Sequence, residues 1–159
     1  MLIKANTDIF VLRFSDKNNI DTIKEHKEIL NQKGYVWYGK MGITPLKSYF
    51  DTHLKDSSTL VLLTQPSKYY TAECVEYSLE RPIKVDYPSY YDTVQFSGFN
   101  FTSWYKIVSI TEVSNKDVLE NIVIKSSGNF LRSALQGSMS PMFKAKTIKE
   151  IEFEEKRES

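Results

Sequence analysis

The segment Gly34-Tyr35-Val36-Trp37-Tyr38-Gly39-Lys40-Met41-Gly42 puts two binding chemistries side by side. A tryptophan on an aromatic strand offers a π face on which a flat group can stack. Lys40, set among glycines whose backbone a ligand can approach, offers a cation for an anionic tether such as phosphate. Neighbouring strand residues point to opposite faces, so one of Trp37 and Tyr38 lines the core while the other looks into a cleft. Downstream, Arg81 to Gly98 is irregular and rich in Tyr and Pro, and Tyr87, Tyr90 and Tyr91 can reach back over that cleft to complete an aromatic box. A base extruded from its stack needs such walls, since stacking on an aromatic ring is worth roughly 1–3 kcal/mol per base. Arg13, Lys40, Lys47, Lys68, Arg132, Lys144 and Lys146 are candidate phosphate contacts, and they matter only if they converge on one face.

Other chemistries find little footing. His26 and His53 stand alone on helix faces, where a surface or boundary role is expected. Cys74 has no partner in the sequence for a disulfide or a metal cluster, and it reads as a buried thiol in a strand. There is no Gly-x-Ser-x-Gly elbow, and Glu73 and Glu76 point to opposite faces of their strand. The reading is a binding module with no metal, no cofactor and no catalytic group.

The bulk of the chain agrees. At 159 residues and 41% apolar it has the size of one domain with a real core. Its 21 Lys and Arg balance 20 Asp and Glu, so a nucleic-acid surface must come from local placement of charge. Aromatic residues reach 13%, with ten Tyr, which fits surfaces that stack and hydrogen-bond together. No apolar run approaches the roughly 20 residues of a membrane span, and no signal-peptide pattern opens the chain, so the expected location is cytoplasmic.

The elements that must hold these residues follow from periodicity. Asp8 to Phe14 is a nearly continuous apolar run, expected as a strand buried on both faces. Helix caps come next, and a helix from Ile20 to Lys33 carries Ile20, Ile23 and Leu30 on one stripe and stops at Gly34. Tyr35 to Lys40 is a strand; Thr44-Pro45 starts a short helix through Leu54; Thr59 to Thr64 and Tyr69 to Leu79 make a hairpin across Pro66-Ser67-Lys68. Phe101 to Val113 is a long strand containing the second tryptophan, Trp104. A helical turn over Asp117 to Asn121, an extended Ile122 to Lys125, a short helix through Leu135 and a last strand near Phe143 to Phe153 complete the order. The fold class is α+β, with a mainly antiparallel, barrel-like sheet flanked by two helices. One domain over 1–153 and a charged tail at 154–159 are expected.

The order Phe10-Val11-Leu12-Arg13, a helix, Val36-Trp37-Tyr38, then Ser58 to Leu63 leading into Tyr70-Thr71-Ala72-Glu73, then Ser103-Trp104-Tyr105-Lys106-Ile107 resembles the PUA-like superfamily. Within it the chain is similar to YTH and EVE domains, including the specificity domains at the front of McrBC-type modification-dependent restriction systems. The resemblance implies a twisted barrel with flanking helices whose aromatic cage receives a modified, flipped base. It places Trp37, Tyr38, Tyr90 and Tyr91 in the cage, Asp16 and Asn18 at the base edge, and Arg13 and Arg132 at phosphates, where Lys40 and Lys68 are expected to join them. The implied partner is nucleic acid, methylated DNA before RNA, and the implied setting is phage defence, with effector domains C-terminal to this module. A PUA-like reader of modified RNA, an ASCH-type hydrolase using Lys40 with Glu73, and a protein-interaction module are the alternatives. A methyl group gains only about 0.8 kcal/mol by burial. Strong discrimination therefore needs a polar partner at the base edge.

Overall fold

Ile9, Phe10, Val11 and Leu12 are all buried in strand β2 (Asp8–Arg13), as expected for a strand covered on both faces. A computed structural model describes residues 2–41, 59–65, 68–96, 98–114, 117–138, 140 and 142–156. The helix expected from Thr44, with Lys47 and His53, lies outside the described residues.

The chain divides into two compact units. The first comprises Met1–Phe14, Leu60–Ala72 and Thr111–Ser159. In it β2 pairs in parallel with β4 (Thr59–Gln65), Phe10 opposite Val61, and antiparallel with β8 (Met142–Thr147), Val11 opposite Phe143. β7 (Ile122–Ile124) follows β8 in antiparallel register, and β5 (Lys68–Ser78) neighbours β4, giving the order β5-β4-β2-β8-β7. The core is Ile9, Val11, Ile122, Ile124 and Phe143, closed by Leu131 of helix α3 (Leu131–Gly137); α2 (Asp117–Glu120) is a single turn. The last strand is not continuous to Phe153. It ends at Thr147, and β9 (Ile151–Glu152) pairs instead with β1 (Leu2–Ile3). Two-residue strands carry no periodicity, so their pairing left no trace in the pattern.

The second unit comprises Ser15–Thr59 and Glu73–Ile110. Helix α1 (Thr22–Lys33) begins where Asp21 accepts from the Lys24 amide at 3.1 Å and ends where Gly34, at φ 81°, donates to the Leu30 carbonyl. Strand β3 (Val36–Met41) lies antiparallel to β6 (Phe101–Val113), Trp37 opposite Lys106 and Gly39 opposite Trp104; β6 in turn neighbours β5. The pairings are mainly antiparallel, and no described pairing closes them into a barrel. No helix among the described residues is long and apolar enough to cross a membrane.

Gly39 is fixed by Trp104. A Cβ at Gly39 would stand 2.8 Å from Cζ3 and 2.9 Å from Cη2 of that indole, which is itself fully buried. Gly39→Ala is expected to destabilise the protein by about 2 kcal/mol through overpacking. A lower urea midpoint with unchanged slope checks this.

Candidate nucleic-acid interface

The second unit contains a layer of packed rings: Trp37, Tyr87, Tyr90, Tyr91, Phe96 and Trp104. Tyr91 stacks on Tyr90 with centroids 4.4 Å apart and meets Trp104 at 5.1 Å and Phe101 edge-on at 4.7 Å. The segment from Lys84 to Phe96 reaches this layer through three short 3-10 turns, Lys84–Asp86, Ser89–Asp92 and Val94–Phe96. Such turns are too tight to leave a helical repeat in the sequence.

Hydrogen bonds lock the layer to α1 and β3. The Tyr91 hydroxyl accepts from the Gly39 amide at 3.0 Å and lies 2.9 Å from His26 Nε2. His26 Nδ1 lies 2.7 Å from the Thr22 carbonyl oxygen. A carbonyl only accepts, so the neutral imidazole carries its hydrogen on Nδ1, and Nε2 accepts from Tyr91. Burial pulls His26 down to about 4, against the opposing effect of the Thr22 bond. The same burial pushes the hydroxyls of Tyr38 and Tyr91 well above their ordinary range and that of Tyr90 up to about 12. The helix-face expectation for His26 is thus corrected: it is fully buried, three residues after Ile23 and four after Thr22 on the inward stripe.

Beside this layer opens a cleft of about 600 Å³, walled by Tyr87, Tyr91, Phe96 and Phe99 and rimmed by Arg81 and Lys84. Phe99 is half-buried while the other three wall rings are buried, so it presents the most open aromatic surface, with Lys17 Nζ 5.0 Å from its centroid. Arg81 lies over Trp104 at 5.2 Å and over Tyr87 and Phe101 at 5.7 Å each. Its guanidinium pairs with Asp92 at 2.6 Å, and Asp92 also accepts from the Tyr87 hydroxyl at 2.8 Å. The Trp104 Nε1 is buried with no hydrogen-bond partner among the described residues. An aromatic slot with Lys84 and the Arg81–Asp92 pair at its mouth suits a flat group with a polar or anionic tether.

The residues singled out in the sequence fall into three groups. Trp37, Tyr90 and Tyr91 come together in the ring layer, and Tyr38 packs on His26 with centroids 4.8 Å apart. Trp37 is only 8% exposed and Tyr38 is buried too, so both faces of β3 are packed, and neither ring looks into an open cleft as the alternation had implied. Asp16 accepts from the Thr22 amide at 3.1 Å and lies close enough to raise the Tyr38 and Tyr90 hydroxyls, whereas Asn18 occupies an exposed left-handed turn at φ 54°. Lys40 is half-buried in β3. Arg13, Lys68 and Arg132 belong to the first unit. There the Arg13 guanidinium donates to the carbonyls of Ser138 and, at 3.2 Å, Leu135, which caps the end of α3, and Arg132 pairs with Glu120 at 3.5 Å. Nothing in the sequence singles out Arg81, Phe96 or Phe99 individually, although the irregular segment from Arg81 to Gly98 contains the first two.

Among the described residues no group of His, Cys, Asp and Glu is placed to hold a metal ion. Cys74 is buried, and its thiol is pushed up to about 12 by that burial.

Fold and cleft define a mainly antiparallel α+β protein with an aromatic, cation-rimmed slot. The chain belongs to the Pua-like family, whose model matches residues 10–158. No curated protein and no solved structure gave a significant match.

Proposed function

We propose that the chain is a non-catalytic nucleic-acid-binding module of the EVE or YTH kind that reads one modified base, methylated DNA before RNA, flipped into the aromatic cleft. The carrying observation is the slot of Tyr87, Tyr91, Phe96 and Phe99 with Arg81 and Lys84 at its rim, in a Pua-like chain. In this reading the ring layer with Trp37, Tyr90 and Tyr91, backed by Tyr38 on His26, holds the slot in shape, and Phe99 is the stacking platform. The module serves as the specificity part of a modification-dependent restriction or defence protein with effector domains elsewhere.

The test is a fluorescence titration with duplexes of one sequence that are unmodified or carry 5-methylcytosine, 5-hydroxymethylcytosine or N6-methyladenine, with matching RNA as competitor. One modified duplex is expected to bind about tenfold or more tighter than the unmodified one. Phe99→Ala is expected to weaken that complex by about 2 kcal/mol, the worth of one stacked base. Equal, weak binding of every probe, indifferent to Phe99→Ala, would overturn the reading; tighter binding of the RNA would redirect it to a transcript.

A further inference from the structure

The lip of the cleft carries an apolar projection that neither the core nor the ring layer uses. Ile83 lines the cleft yet is 68% exposed, and Val85 beside it is 63% exposed. Ile83 is thus an apolar side chain that the fold leaves out of its core at the mouth of the cleft.

This projection is held rigidly. Pro82 fixes the backbone just before Ile83. The Asp86 amide donates to the Ile83 carbonyl at 3.0 Å and closes the first 3-10 turn. The Asp86 carboxylate then takes Lys33 Nζ of α1 at 2.9 Å and the Tyr35 hydroxyl at 3.0 Å, anchoring the turn to the frame of its unit. Burial opposes its charge, but these two donors outweigh burial and hold the carboxyl below its ordinary range. Isoleucine is stiff at χ1, so the side chain stands in a set direction. Two residues before it is Arg81 and one after is Lys84, both on the cleft rim.

We propose that Ile83 is a wedge for a duplex. Resting on the base-reading function above, the inference is that Ile83 enters the space left in the stack by the extruded base, with Arg81 and Lys84 against the flanking phosphates. Apolar side chains inserted between base steps do this in proteins that open or kink DNA. A duplex has a stack to fill, and a single strand does not. The partner proposed is therefore a duplex, double-stranded DNA in keeping with the reading above.

Ile83→Ala isolates the wedge, because a truncation at an exposed position leaves the fold intact, as circular dichroism of the variant checks. Wild type and variant are titrated with three probes: the best-bound modified duplex of the panel above, the same duplex with an abasic site opposite the modified base, and the modified strand alone. The variant is expected to lose about tenfold in affinity for the paired duplex and less than about twofold for the other two, whose base is already unpaired. An equal loss on all three would make Ile83 a plain contact and overturn the wedge, as would no loss on the paired duplex or a wild-type preference for the single strand. If wild type binds none of the probes, the base-reading function fails together with the wedge.

Discussion

Tyr91→Phe is expected to lower the unfolding free energy by about 4 kcal/mol although it removes one oxygen atom. The ring would stay in place against Tyr90, Phe101 and Trp104. What disappears is the partner of two buried groups, the Gly39 amide at 3.0 Å and His26 Nε2 at 2.9 Å. Each buried polar group left unpaired costs about 1–3 kcal/mol. Chemical denaturation of the variant reads the loss directly. A cycle with His26→Gln should show the two changes to be non-additive by about 1 kcal/mol or more, because they disable one relay.

The second large effect is acid destabilisation. Unfolded His26 takes up a proton near pH 6.5, while the folded ring resists until about 4. Between those values the unfolded chain binds more protons than the folded one. Stability from this residue is therefore whole above pH 6.5 and declines as the pH falls towards 4, by about 3 kcal/mol in all. Carboxylates titrate in the lower part of the window, so the contribution of His26 is the difference between wild type and His26→Gln. A His26→Gln protein that keeps the full wild-type slope from pH 6.5 to 5 would contradict this account of the buried imidazole.

Where an element announces itself by its own residues, sequence and structure agree. The unbroken Ile9 to Leu12 run, the stop at Gly34 and the 13-residue length of β6 each follow from local rules of burial, left-handed backbone and alternation. The convergence of Trp37, Tyr90 and Tyr91 was legible as well, since a Tyr-rich segment too long for a plain connection has few ways to bury its rings. Distant pairings were not legible. Arg13 finds its carbonyl partners more than 120 residues away, and a guanidinium committed to the end of α3 looks in sequence like any other basic side chain. The polarity of His26 points to the surface, while its place on the inward stripe with Thr22 and Ile23 buries it. The cleft depends on 3-10 turns that bring Arg81, Phe96 and Phe99 to one opening, and no pattern of spacing encodes that.

That opening is the centre of the account, and one measurement addresses it without reference to affinity: an amide NMR titration of the isotope-labelled protein with the best-bound modified duplex. The largest shifts in the first equivalent are expected at Lys17, Arg81, Lys84, Phe96 and Phe99, around the aromatic slot. Shifts concentrated at Lys68, Arg132 and the end of α3, with the slot unchanged, would contradict it.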